Sequence, residues 1–443
     1  MSSANNTNEL LDTGLRAQNS GRMDEAARIF QQVLTADPRN VRALNTYGLF
    51  LEKTKEQSKA EEFLRRAIQY APHVLDSYVN LGFVLHSAKK FDSAIDCCQL
   101  GLKLFPGNRY LQNNLATNLH SAGKYDEAID LLKKMIALDP SHTGARYHIG
   151  RIYMDLDDST EAVNFFIEAL QFNPNDHLSL SAAGECLLKT GRAGEALDMF
   201  DKALQLGGFD NRITSLKTLT LAELGRTQEE SWLSDPHRLG QISIISEIGY
   251  SREDMLALNR ELSEFASNHP TLRKDPKENA AYKSWHSKNI AFDGNPAVEK
   301  LKHFIAYACD KRLKTLAQED PLHPFVKTVP RESDLFLWAV KMQGGGQFTP
   351  HTHPAGWLSG VYYVDIPDVV SAANSGEAGW LKLGPPRADF KLTRQPITRA
   401  VKPEPGMLVT FPSYIWHDTV PLPEEITQQR LCLAFDILPM NRR

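Results

Sequence analysis

Cysteine is scarce in this chain of 443 residues, and long apolar runs and blocks of like charge are missing altogether. The five cysteines, Cys97, Cys98, Cys186, Cys309 and Cys432, are odd in number and unevenly spaced. They fit neither a disulfide framework nor a zinc knuckle, and they suit a reducing compartment. No stretch of about 18 apolar residues occurs, which excludes a hydrophobic membrane-spanning helix. The opening residues, MSSANNTNEL, lack a basic region followed by an apolar core. No secretory signal is therefore expected, and the expected location is cytoplasmic. The formal net charge is -4, without a long Lys/Arg run. That excludes an evident nucleic-acid or anionic-membrane surface. The hydrophobic content of 42% and charged content of 23% are ordinary for a soluble protein, and the length calls for two or three domains.

What the chain does have is a period. Pro38, Pro72, Pro106, Pro140 and Pro174 fall at a constant spacing, as do Ala26, Ala60, Ala94, Ala128, Ala162 and Ala196. Gly14, Gly48, Gly82, Ala116, Gly150 and Gly184 form a third ladder in phase with these. A small residue is needed where two antiparallel helices cross closely, and the alanine ladder marks the facing helix. Proline stops the second helix of each unit because it cannot continue the hydrogen-bond ladder. Apolar residues such as Phe30, Leu64, Leu132, Phe166 and Phe200 fill the space between units. The pattern resembles the tetratricopeptide repeat family over roughly residues 7–208, giving six repeats. A helix from Asn211 to Leu224 is expected to cap the last apolar face. The resemblance implies a concave groove for a peptide or protein partner. Asn80 and Asn114, at one repeat position, are candidates to begin a ladder of backbone-binding amides, although Thr46, His148 and Ala182 do not continue it. The adjacent Cys97 and Cys98 read as packing residues.

From Trp232 the period is lost. SDPHRLGQ reads as a linker, Ile242 to Ile248 as a strand, and Arg252 to Ser267 and Pro296 to Leu313 as helices. After Pro330 come short β-like runs punctuated by glycine and proline: DLFLWAVK, WLSGVYYVDI, GWLKLG, GMLVTFP and RLCLAFDIL. Such strands predict a sandwich or jelly-roll barrel. The expected fold class is thus multidomain: an all-α solenoid over 1–230, then an α+β domain over 236–443. The latter has a lead-in at 236–335 and a jelly-roll (double-stranded β-helix) core at 336–440.

His351, His353 and His417 lie in this last region. Residues i and i+2 of a strand share a face, so His351 and His353 can both turn inward, with His417 arriving from a later strand. Two ligands on one strand and a third from another suit an open iron site. Chance alone gives about 0.4 H-x-H pairs at this histidine content, so the surroundings carry the case. In RLCLAF, alternation puts Arg430, Cys432 and Ala434 on the small-residue, inward face. An inward arginine is costly unless an anion pairs with it, and its planar fork suits a ligand carboxylate or an internal Asp or Glu.

HTHPAGWLSGVYYV, GWLKLGPPR, PEPGMLVTFPSYIWHDTVP and QRLCLAFD together resemble the iron(II)/2-oxoglutarate-dependent oxygenases, most closely a group found beside tetratricopeptide repeats and distantly related to prolyl hydroxylases. The likeness is clear from about Trp338 to Asp436. It implies His351 and His417 as outer members of the metal triad and Arg430 as the anchor of the 2-oxoglutarate distal carboxylate. Tyr363 would donate to the same carboxylate, or Tyr362 if the register shifts by one. Gly360, Gly379 and Gly406 read as turn and close-approach positions. One departure stands out: most such enzymes have a carboxylate where this chain has His353. Either His353 is a third imidazole ligand, or it is the first ligand and Ala355 leaves a position empty.

The resemblance implies a dioxygenase that uses Fe(II), 2-oxoglutarate and O2, with ascorbate as a possible accessory, and hydroxylates a C–H bond. A repeat groove beside it points to a protein or peptide substrate. Three other readings stay open: a repeat scaffold carrying a degenerate barrel, a three-histidine iron dioxygenase that does not use 2-oxoglutarate, and a free metabolite as substrate.

Overall fold

Where a glycine sits at a helix crossing, the partner's side chain can rest on the bare backbone, and this contact builds the first half of the molecule. The computed structural model describes residues 2–274, 281–372 and 376–440, with side chains from Thr7 onward. The chain divides into two compact units, Met1–Pro174 and Asn175–Arg443.

The first unit is five antiparallel helix pairs: α1 (Ser2–Asn19) with α2 (Met23–Ala36), α3 (Val41–Lys53) with α4 (Gln57–Tyr70), α5 (Leu75–Ser87) with α6 (Phe91–Leu104), α7 (Arg109–Ser121) with α8 (Tyr125–Leu138), and α9 (Thr143–Asp155) with α10 (Ser159–Phe172). A Cβ added at Gly14 would lie 2.6 Å from Phe30, at Gly48 2.7 Å from Leu64, and at Gly150 2.6 Å from Phe166. The residue facing each of these ladder glycines is therefore the one sixteen positions on, large and apolar at Phe30, Leu64 and Phe166, and a cysteine, Cys98, opposite Gly82. The alanine ladder lies one turn away and is also fully buried. Cys97 and Cys98 are core residues, and all five described cysteines are free thiols. No helix among the described residues is long and apolar enough to cross a membrane.

The second unit opens with α11 (His177–Lys189), α12 (Ala193–Gly207), α13 (Asn211–Glu223), α14 (Thr227–Ser234) and the single turn α15 (Pro236–Leu239). The sequence places a boundary near 230, yet here these helices are tied to the sheet. The Trp416 indole donates to Ser215 O at 3.0 Å, and the Tyr414 hydroxyl donates to Leu233 O at 2.8 Å. The Glu223 carboxylate accepts from the Thr393 and Arg394 amides, and Glu230 accepts from the Ile397 amide at 2.6 Å. SDPHRLGQ is likewise not a loose linker: Asp235 caps α15, and Arg312 donates to Arg238 O.

β1 (Gln241–Ile244) is shorter than the run Ile242 to Ile248 suggests, because Ile245–Ile248 winds into a 3-10 turn ending at Gly249 in the left-handed region. Then follow α16 (Arg252–Ser267), β2 (Arg273–Lys274), β3 (Ala281–His286), α17 (Pro296–Glu319), α18 (Pro324–Lys327), β4 (Ser333–His351), β5 (Leu358–Asp365), α19 (Asp368–Ser371), β6 (Leu381–Leu383), β7 (Arg399–Val401), β8 (Met407–Pro412), β9 (His417–Thr419) and β10 (Arg430–Pro439). All strand pairs are antiparallel, in the order β1-β8-β5-β10-β4-β9-β6-β7, with β3 also on β4. This is the jelly-roll-like class expected from the spacing of the strands. β4 runs through both halves of the sheet, pairing with β10 along its first part and with β9 at its end. The glycines at 344–346 permit this course, since a Cβ on Gly344 would strike the Glu424 carbonyl.

Candidate metal centre

β4 ends on His351, and β9 begins on His417, its partner across the ladder. His353 lies just past the strand, its amide donating to Ser413 O at 3.0 Å. One ring nitrogen from each of the three histidines lies within 4.8 Å of the others, a spacing that a single metal ion can bridge.

The other nitrogens are committed. His351 Nδ1 lies 2.8 Å from Thr349 O, and His417 Nδ1 lies 3.1 Å from Ile415 O. A carbonyl only accepts, so both Nδ1 atoms carry the proton, and each neutral ring keeps a bare Nε2. His353 Nδ1 lies 2.7 Å from the Asp436 carboxylate. Burial, aided by the neighbouring imidazoles, lowers the pKa of His351 to about 4 and takes that of His417 well below its usual value. These rings are held neutral, the state a metal ligand requires.

The same cavity, of about 440 Å³, contains Arg430 and Tyr363. Alternation on β10 places Arg430, Cys432 and Ala434 along it, as read from the sequence. Arg430 is 2% exposed, and among the described residues no carboxylate pairs with it. Its contacts are Gly379 O at 3.2 Å and the sulfurs of Cys432 and Met342. The Tyr363 ring lies 5.2 Å from the guanidinium, and among the described residues its buried hydroxyl finds no acceptor. Burial raises its pKa, so it is a donor without an acceptor. Of the two tyrosines Tyr363 lines the cavity, whereas Tyr362 donates to Asn259 at 2.7 Å.

The donor set fits the expected groups. Imidazole is a suitable ligand for iron(II). A buried, unpaired guanidinium beside an unpartnered phenol leaves a place for a carboxylate. Gly360 and Gly379 hold close approaches, and Gly379 (φ +72°) supplies the carbonyl that steadies Arg430.

Several residues of this cavity were not singled out in the sequence, His286, Asp418 and Ser359 among them. His286 on β3 lines it. Asp418 also lines it, with Oδ1 buried and unpartnered, and burial raises its pKa to about 6. Ser359 lines it and donates to Asp436 at 2.6 Å. Continuing the Arg430, Cys432, Ala434 alternation by one step would have reached Asp436. In the solenoid, Asn80 and Asn114 spend their amides internally, on Asn45 and on Val79 O.

Residues 336–436 match the family described as "Putative 2OG-Fe(II) oxygenase", and residues 11–74, 75–108 and 119–182 match tetratricopeptide repeat families. Tetratricopeptide repeat protein 7A of Homo sapiens is 30% identical over 91 residues, which are 20% of this chain and 11% of that protein. A tetratricopeptide repeat protein from Parabacteroides merdae is similar over 49% of this chain and 84% of its own, at 17% identity and TM-score 0.41. PilW, a type IV pilus biogenesis factor, is similar over 47% of this chain and 97% of its own, at 16% identity and TM-score 0.41.

Proposed function

We propose that this chain, tetratricopeptide-like in its first half and oxygenase-like over residues 336–436, is an iron(II)- and 2-oxoglutarate-dependent dioxygenase that hydroxylates a protein or peptide side chain. The observation that carries the reading is one cavity holding both halves of such a site: three imidazoles with bare nitrogens, and an arginine that no carboxylate of the described residues pairs with. In this reading His351, His353 and His417 hold the metal. Arg430 takes the distal carboxylate of 2-oxoglutarate in bidentate fashion, and the Tyr363 hydroxyl donates to the same group. When bound, iron and 2-oxoglutarate supply oxidation of a C–H bond by O2, with succinate and carbon dioxide as coproducts.

The chain's own contribution is placement. Backbone carbonyls fix two ring tautomers, strand alternation aims Arg430 inward, and Val361, Phe411 and Leu381 keep the walls apolar. The repeats recruit the substrate, consistent with their kind of groove.

Equilibrium dialysis under nitrogen tests the site directly. Wild-type protein is expected to retain one iron(II), and to bind 2-oxoglutarate only when iron is present. Binding of 2-oxoglutarate that persists in His417→Ala at unchanged affinity would contradict the reading.

A further inference from the structure

Position 353 carries an imidazole where a carboxylate is usual in the enzymes this chain resembles, so three neutral ligands would leave a divalent ion uncompensated in a buried site. Asp436 is the nearest candidate for the missing charge. Its Oδ1 is 2.7 Å from His353 Nδ1 and 2.6 Å from the Ser359 hydroxyl. Ser359 in turn contacts the Ser413 hydroxyl at 2.8 Å, and the Ser413 carbonyl accepts from the His353 amide. The carboxylate is thus oriented by a closed set of bonds around one histidine.

A second observation is independent of that geometry. The Asp436 side chain is 13% exposed, yet no Lys or Arg pairs with it among the described residues. A carboxylate this far from water is costly without a cation. A metal on the other nitrogen of His353 would supply one, through the imidazole.

Resting on the reading of the metal centre given above, we propose that Asp436 is the anionic member of that centre, acting one residue removed from the metal. It is a positioning residue: it holds His353 with Nδ1 protonated and Nε2 bare, raises the basicity of the ring, and provides the negative charge that position 353 lacks. Ser359 keeps the carboxylate aimed. A bare carbonyl, such as those serving His351 and His417, fixes a tautomer but brings no charge. Only His353 has both.

The test uses the full-length protein stripped of metal and titrated under nitrogen with iron(II), and in parallel with cobalt(II), whose visible spectrum reports coordination. Asp436→Asn is expected to bind either metal 10–100-fold (~) more weakly than wild type, with an unchanged melting temperature before metal is added. Ser359→Ala, which keeps the charge, is expected to lose far less. Equal affinity in Asp436→Asn and wild type would overturn the inference and leave the metal centre standing. Failure of the wild type to bind either metal would remove the centre itself and the inference with it. Should Asp436→Asn fold poorly, the imidazole nitrogen signals of metal-free wild type decide. Protonated Nδ1 on His353 is expected, and protonated Nε2 would overturn the proposal.

Discussion

Arg430 and Asp436 stand on the same side of one strand: Arg430, Cys432 and Ala434 line the cavity, and Asp436, one step further along, holds His353 Nδ1 at 2.7 Å. At about 3.3 Å per residue the two are roughly 20 Å apart along the strand, too far to neutralise each other. In the function proposed above, Arg430 serves a cosubstrate carboxylate and Asp436 a ligand histidine.

The unpaired state of Arg430 has a measurable consequence. Arg430→Ala is expected to weaken 2-oxoglutarate binding roughly 100-fold, the loss of about 3 kcal/mol expected when a charge-assisted bidentate contact is removed. Iron binding is expected to be unchanged, and the ligand-free protein no less stable, because a buried lone charge has been deleted. Anaerobic calorimetry checks the first two points and thermal unfolding the third. Equal 2-oxoglutarate affinity in the variant would exclude the assigned role.

The two adjacent tyrosines should behave oppositely. Tyr363→Phe deletes a hydroxyl that has no partner, so the ligand-free protein should hold or gain stability, while 2-oxoglutarate binds about 10-fold less tightly. Tyr362→Phe deletes the bond to Asn259 and should cost about 1 kcal/mol of stability without touching 2-oxoglutarate affinity. The reverse pattern would show that the inward residue has been misassigned.

A fragment of residues 175–443 is expected to fold, and one of residues 236–443 is not. The shorter piece loses the partners of Trp416 and Tyr414, and the carboxylates of Glu223 and Glu230 that receive the loop at 393–397. Soluble yield and cooperative unfolding of the two fragments settle the point. A well-folded 236–443 would show that the helices only decorate the sheet.

In the solenoid, burial and then the neighbouring His120 lower the His148 pKa from 6.5 to about 4. The unfolded chain therefore binds more protons than the folded one between those values. The stability contributed by neutral His148 is full above pH 6.5 and is lost as pH falls toward 4, a change on the order of 3 kcal/mol. Thermal unfolding of wild type and His148→Asn across this range should show the wild type losing stability faster on acidification. Parallel profiles would contradict the assignment.

Much of this was legible in the sequence because it is periodic or local. The glycine ladder is legible because a helix crossing repeats one contact, Gly14 on Phe30 and Gly150 on Phe166. Arg430 was legible because strand alternation is strict. Asp436 escaped because its meaning depends on His353, eighty-three residues earlier, and on Ser359 across the ladder. Register between strands so far apart is set by packing and bulges, such as the shift between Phe348 and His351, which no local pattern announces. The same holds for Ser215 under Trp416, where α13 looks from its own residues like an ordinary cap.

The most direct measurement is succinate formation from 2-oxoglutarate in air-equilibrated buffer, using protein purified under nitrogen and loaded with iron(II). The account predicts slow, iron-dependent succinate release by wild type even without substrate, and none above background from His417→Ala or Arg430→Ala. Iron-loaded wild type that binds 2-oxoglutarate no better than Arg430→Ala, and releases no succinate, would contradict it.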